Sequence, residues 1–220
     1  MNDTARLNSL GAPFVLALLC AAAYLTLPAI GTPHMLIVLV KGAVCPLLAL
    51  AAWRRLRGNN VARFLAFALL LSAAGDVFLA LDRVKLFVPA LGSFLLAHLA
   101  YLVLFLKFRA KPTRRQFALI ALLLCYGAVM LVVLTPGLGK LVLPVYLYIA
   151  AIMAMGAAAL ALPARPLVGL GAISFIISDS LIALDKFLAP LPWAGPVIWL
   201  TYVAAQVLIL LGWRKEAASG

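Results

Sequence analysis

Two aspartates stand where aspartate is costly. Asp76 lies in LLLSAAGDVFLALD and Asp179 in SFIISDSLIALD, and the first sits in a run otherwise apolar from Phe64 to Leu81. On insertion scales an ionised carboxylate at the centre of a spanning helix costs about 2.5–3.5 kcal/mol, so such residues are functional candidates by default. A carboxyl withdrawn from water favours its neutral, proton-donating form, while a neighbouring cation keeps another ionised. A pair of them can therefore divide acid and base work. Lys41 and His98 are the candidate cations. Tyr101, Tyr146, Tyr148 and Tyr202 offer hydroxyls, and Ser178 and Gln206 complete the polar set. The bland reading is a Lys41–Asp pair that only locks helices together.

The elements that must carry these residues follow from composition. The 220 residues are 67% hydrophobic and 11% charged, with a mean hydropathy of +1.17. No soluble domain of this size hides that much apolar surface, and apolar runs of about eighteen residues or more mark spanning helices. Eight runs qualify, at 11–29, 33–53, 61–81, 88–107, 117–134, 141–160, 167–187 and 193–213. Connections such as AIGTPH, TPGLGK, LPARP and LAPLP are short and rich in Gly and Pro. The expectation is an all-α integral membrane protein, with residues 1–220 forming one polytopic domain.

Eighteen Lys and Arg give a net charge of +12. Thirteen of them fall on one side of an eight-helix thread: Arg6, Arg54, Arg55, Arg57, Arg63, Lys107, Arg109, Lys111, Arg114, Arg115, Arg165, Arg214 and Lys215. Arg83, Lys85, Lys140 and Lys186 fall on the other, and Lys41 is inside a helix. That asymmetry is the positive-inside pattern and puts both termini in the cytoplasm. It also accounts for the basicity without nucleic acid. The Ala- and Leu-rich, Arg-biased composition points to a bacterial inner membrane. The first apolar run is read as an uncleaved helix rather than a signal peptide, because cleavage would move one terminus across the membrane.

Counting about 1.5 Å per residue places the polar residues at a common level. Asp76 and Asp179 lie roughly 9 Å inside the non-cytoplasmic ends of helices three and seven, Lys41 about 12 Å, Tyr202 about 13 Å and His98 about 15 Å. Tyr146 and Tyr148 come in at roughly 8–10 Å, and Tyr101 is a turn deeper than His98. This convergence predicts a polar pocket in the outer half of the membrane. Asp76-x-x-Leu79-Ala80-Leu81-Asp82 matches Asp179-x-x-Ile182-Ala183-Leu184-Asp185. An offset of four helices makes the two copies parallel, as in a 4+4 repeat. Asp82 and Asp185, beside Arg83 and Lys186, read as interfacial charge pairs, and His34 as interfacial. Ser178 reads equally as a bond to its own helix backbone.

Other chemistries fit less well. Zinc hydrolysis needs at least three ligands, and the chain has two histidines. HExxH, GxSxG, Walker A and GxGxxG are absent from the sequence. Cys20, Cys45 and Cys125 lie in different helices without a CxxC and read as packing residues. No cofactor or metal is expected.

These residues resemble the YhhN family of eight-helix membrane proteins, whose animal members include lysoplasmalogenases. The resemblance rests on Gly75-Asp76 in helix three, Phe94-x3-His98-x2-Tyr101 in helix four, Ser178-Asp179 with LIALDKF through Phe187 in helix seven, and Tyr202-x3-Gln206 in helix eight. Where members commonly carry Lys-Pro in helix two, this chain has Lys41-Gly42, with Pro46 later. The activity implied is hydrolysis of the vinyl ether bond of lysoplasmalogens, with a lysophospholipid as substrate and membrane lipids as surroundings. The rival is a transporter or flippase for a lipid or small amphiphile, for which helices interrupted at the polar site would be the sign. A purely structural protein leaves the two aspartates unexplained.

Overall fold

Every apolar run is a helix in the computed structural model, which describes residues 10–213. In chain order these are α1 (Gly11–Thr26, continued by a 3-10 turn over Leu27–Ile30), α2 (His34–Arg55), α3 (Asn60–Leu81), α4 (Phe87–Phe108), α5 (Arg114–Leu134), α6 (Val142–Leu160), α7 (Pro166–Phe187) and α8 (Ala194–Gly212). Two further 3-10 turns, Thr135–Gly137 and Gly139–Leu141, join α5 to α6. All eight helices are long and apolar enough to cross a membrane.

The apolar runs predict these boundaries to within three residues. The difference at the start of α5 has a local cause. Thr113 accepts the Gln116 backbone N–H, and the Gln116 side chain accepts the Thr113 backbone N–H. This reciprocal cap carries the helix out over polar Arg114, Arg115 and Gln116, which a hydropathy pattern excludes. Pro166 opens α7 at a position where its missing N–H costs nothing.

Many of the exposed helix side chains are large and apolar. Leu19, Leu39, Phe67, Leu122 and Val132 all face outward. In water such surface would be an association hazard. In hydrocarbon it is what the lipid meets, and each helix satisfies its own backbone there.

The chain divides into two compact units, one running through Tyr101 and the other comprising Leu102–Trp213. In the first, α2 packs along both α1 and α3. Gly42 and Gly75 permit close approach there. A Cβ on Gly42 would come within 2.7 Å of Val77 Cγ2, and one on Gly75 within 2.6–2.8 Å of three Phe94 ring atoms. Ser93 Oγ on α4 donates to the Leu71 carbonyl on α3 at 2.7 Å. In the second unit α6 lies against α5 and α7, and α7 against α8 along most of its length. Ser174 Oγ donates to the Thr201 carbonyl at 2.7 Å. At the opposite end of this helix pair the Arg165 guanidinium lies 4.3 Å from the Trp213 ring centre and donates to the Gly212 carbonyl at 3.4 Å. That cation–π contact ties the start of α7 to the end of α8.

Candidate functional site

In the first unit the site is assembled by α2 against α3. Lys41 and Cys45 are four residues apart on α2 and so share a face. Asp76, 3% exposed, receives both. Lys41 Nζ is 3.8 Å from Asp76 Oδ1, and the Cys45 thiol donates to Oδ2 at 3.9 Å. The lysine also lies over the Tyr24 ring of α1, 5.5 Å from its centre. Gly42 stands between the two α2 contacts and lets Val77 of α3 come close, which is what brings the ammonium to the carboxylate. Pro46 lies inside the helix at the next turn and has no N–H for the Gly42 carbonyl.

Phe94 fills the place left by the missing side chain of Gly75, and His98 and Tyr101 follow on the same α4 face, both fully buried. One turn before Asp76, Ser72 is fully buried, and its Oγ meets no hydrogen-bond partner among the described residues.

In the second unit α6 plays against α7. The Tyr148 hydroxyl donates to Asp179 Oδ2 at 2.5 Å, and Asp179 itself is only half-buried. Ser178 Oγ donates to the Ile198 carbonyl of α8 at 3.0 Å. It thus bonds the neighbouring helix rather than its own, correcting the reading of an intrahelical bond. Tyr202 is buried edge-on against Phe175, ring centres 5.4 Å apart, and beside Trp199 at 5.8 Å. Gln206 is buried one turn further along α8.

Tyr146 goes elsewhere. It is more than a third exposed, and its hydroxyl is 2.8 Å from Thr135 Oγ1. Thr135 spends its own proton on the Leu131 carbonyl, so Tyr146 is the donor. Two residues of separation turn Tyr146 and Tyr148 to different faces of α6, and only Tyr148 reaches the carboxylate.

The two aspartates at the helix ends are loop caps. Asp82 Oδ1 accepts the backbone N–H groups of Val84 and Lys85, each at 2.9 Å, and Lys85 Nζ is 4.0 Å from Oδ2. The Lys85 and Val84 N–H groups, with a lesser contribution from the Lys85 ammonium, hold the Asp82 carboxyl below its ordinary range. Asp185 Oδ1 accepts the Leu191 N–H at 2.7 Å. His34 is exposed, with Nε2 2.8 Å from the Ala80 carbonyl. That acceptor requires the proton on Nε2.

Sequence reasoning passed over Tyr24, Cys45 and Ser72. Cys45 carried a signal in its spacing of one turn from Lys41, and Ser72 in its spacing of one turn from Asp76. Tyr24 carried none.

Comparison with known proteins places these residues in a family. The YhhN family model matches residues 36–213. A protein named lysoplasmalogenase from Mycobacterium bovis is 39% identical over 179 residues, covering 78% of this chain and 68% of its own. Human lysoplasmalogenase TMEM86B is 36% identical over 168 residues, covering 76% and 71%. The mouse TMEM86B protein is 32% identical over 207 residues, covering 91% and 84%. Among solved structures there is no match.

Proposed function

Because the chain belongs to the YhhN family, we propose that it hydrolyses the vinyl ether bond of lysoplasmalogens, releasing a fatty aldehyde and glycerophosphoethanolamine or glycerophosphocholine. The observation that carries the reading is the buried Lys41–Asp76 pair inside membrane-spanning helices. Burying two charges costs several kcal/mol per ion before their attraction is counted, and a bundle needs no such pair to pack.

The reaction is acid catalysis followed by capture of water. A carboxyl proton goes to the alkene carbon remote from the ether oxygen, leaving an oxocarbenium ion. Water adds to that cation and gives up a proton. The resulting hemiacetal expels the glycerol oxygen, which takes a proton, and the aldehyde leaves. Asp76 is assigned the anionic role because Lys41 holds its charge: it stabilises the cation and accepts the proton of water. Asp179 is assigned the acid. Tyr148 donates to its Oδ2, which directs the carboxyl proton to Oδ1. Ser72 Oγ offers a buried polar atom to a water on the Asp76 side. His98, Tyr101, Tyr202 and Gln206 are assigned supporting contacts to headgroup or water, and the apolar helix faces hold the alkyl chain.

Topology enters the same reading. The surplus of basic residues on one side supports cytoplasmic termini in a bacterial inner membrane, with the headgroup handled toward the other surface. The transporter alternative lacks its expected sign at the two aspartates, since α3 and α7 run as unbroken helices through Asp76 and Asp179.

The test is aldehyde release from a lysoplasmalogen by the purified protein in detergent, with an ester lysolipid alongside. Asp76→Asn and Asp179→Asn should each lower the rate by about 10²–10⁴-fold while the protein stays folded. Wild-type activity in both variants would remove this site from the reaction. A folded wild type that releases no aldehyde would defeat the hydrolase reading.

A further inference from the structure

We propose that Cys45 and Tyr148 are equivalent positioning residues in an internally duplicated chain, each orienting through Oδ2 the carboxylate 31 residues after it. The proposal rests on the reading of Asp76 and Asp179 as the reacting carboxylates.

One offset relates the two halves. Asp179 lies 103 positions after Asp76, Asp185 lies 103 after Asp82, and Tyr148 lies 103 after Cys45. The first residue of α5, Arg114, lies 103 after the first of α1, Gly11. What repeats is contact as well as spacing. Cys45 of α2 and Tyr148 of α6 both bond Oδ2 of the following aspartate. Asp82 and Asp185 both use Oδ1 to accept backbone N–H groups of the loop that follows. The residue before each aspartate meets the next helix: Gly75 lies against Phe94 of α4, and Ser178 bonds Ile198 of α8. A short phrase in an apolar background recurs by chance easily; three kinds of contact recurring at one offset do not.

The donors differ, and their surroundings explain how. A thiol is a weak donor, and 3.9 Å is long even for sulfur. On that side Lys41 already fixes the carboxylate from Oδ1. The position of α6 that corresponds to Lys41 is Pro144, which has no side-chain donor. A phenol at 2.5 Å is the stronger donor, so Tyr148 bears a larger share of orienting Asp179 than the thiol of Cys45 bears for Asp76.

The experiment uses the full-length protein with Tyr148→Phe, Cys45→Ala and Cys45→Ser. Tyr148→Phe should lower kcat for lysoplasmalogen about 10–100-fold, as expected for loss of a hydrogen bond to the charge that develops on Asp179 as it gives up its proton, with KM within about two-fold of wild type. Cys45→Ala should lower it about 3–10-fold, and Cys45→Ser, which restores a donor, should recover most of that. Infrared spectra supply a readout independent of turnover. Tyr148→Phe should shift the Asp179 carboxyl band, assigned by its loss in Asp179→Asn. Asp76→Asn should shift the S–H band assigned by its loss in Cys45→Ala. Equal kcat values for wild type, Tyr148→Phe and Cys45→Ala would overturn the proposal, as would an effect confined to one of the two. If the wild type releases no aldehyde, the hydrolase reading fails by itself, and the bands decide: shifts in both keep the two positioning contacts, and unmoved bands remove them.

Discussion

Asp76 is gripped from both oxygens by α2, a lysine on one and a thiol on the other, and is almost wholly buried. Asp179 is half-buried and takes a phenol from α6, with Pro144 where a lysine would match Lys41. Helix geometry is alike in the two places, but charge is handled differently. A counter-ion holds a carboxylate in one protonation state through Coulomb attraction that low dielectric strengthens. A neutral donor such as the Tyr148 hydroxyl fixes direction. The same structural unit used twice thus holds one carboxylate with an ammonium and a thiol and the other with a phenol, and the proposed division of acid and base work builds on that difference.

The sharpest way to break this comparison is to remove the lysine. Lys41→Met takes the ammonium from a buried carboxylate and should cost about 3–5 kcal/mol in resistance to unfolding, because one partner of a buried pair then keeps its desolvation penalty. Combining Lys41→Met with Asp76→Asn should return most of that loss, while the double variant stays inactive. Asp179→Asn alone should change stability by less than about 1.5 kcal/mol, since the amide oxygen still accepts the Tyr148 hydroxyl. Denaturation of the purified proteins in mixed micelles measures all three variants against the wild type. Equal losses at the two carboxylates would show that both are held by the same means.

Legibility in the sequence follows the same divide. Eight helices could be read because a bilayer imposes length and apolarity on each, and their ends were read best where Gly or Pro coincides with the change in hydropathy. The Thr113–Gln116 cap was missed because capping adds polar residues to an apolar helix. Of the site, the expensive residues were visible: an aspartate or lysine in hydrocarbon announces itself by its cost. That Lys41 serves Asp76, and that Tyr148 rather than Tyr146 reaches Asp179, depended on helix rotation and on the glycine contacts, which a single sequence does not fix. Cys45 was hidden for a related reason. A cysteine in an apolar run costs nothing, so only its neighbours reveal a role.

The contacts to the next helix give a smaller contrast. Gly75→Ala places a Cβ against three atoms of the Phe94 ring and should cost about 1–3 kcal/mol by overpacking, with activity falling as Asp76 is displaced. Phe94→Leu in the same chain should recover part of the stability by clearing the space. Ser178→Ala removes only a hydrogen bond to the Ile198 carbonyl and should cost about 1 kcal/mol. If Gly75→Ala proves the milder of the two in thermal unfolding, α3 and α4 have slack at Asp76 that α7 and α8 lack at Asp179.

The least effect belongs to the loop caps, and its sign follows from their chemistry. Two backbone N–H groups hold the Asp82 carboxyl below its ordinary value of 3.8, because they bond the ionised form better than the protonated one. A group depressed in this way stabilises the fold fully above its unfolded value, and the contribution fades as pH falls through that value toward the folded one. Asp82→Ala should therefore lower the unfolding temperature slightly at pH about 6–7, and the difference from wild type should shrink below pH about 4. Salt should remove little of it, because the exposed Lys85 pair is the weaker part and screening leaves the backbone bonds intact. A difference that grew on acidification would mean that Asp82 is bound as the neutral acid, and the resemblance between the two loops would then stop at the carboxyl oxygen that each uses as an acceptor.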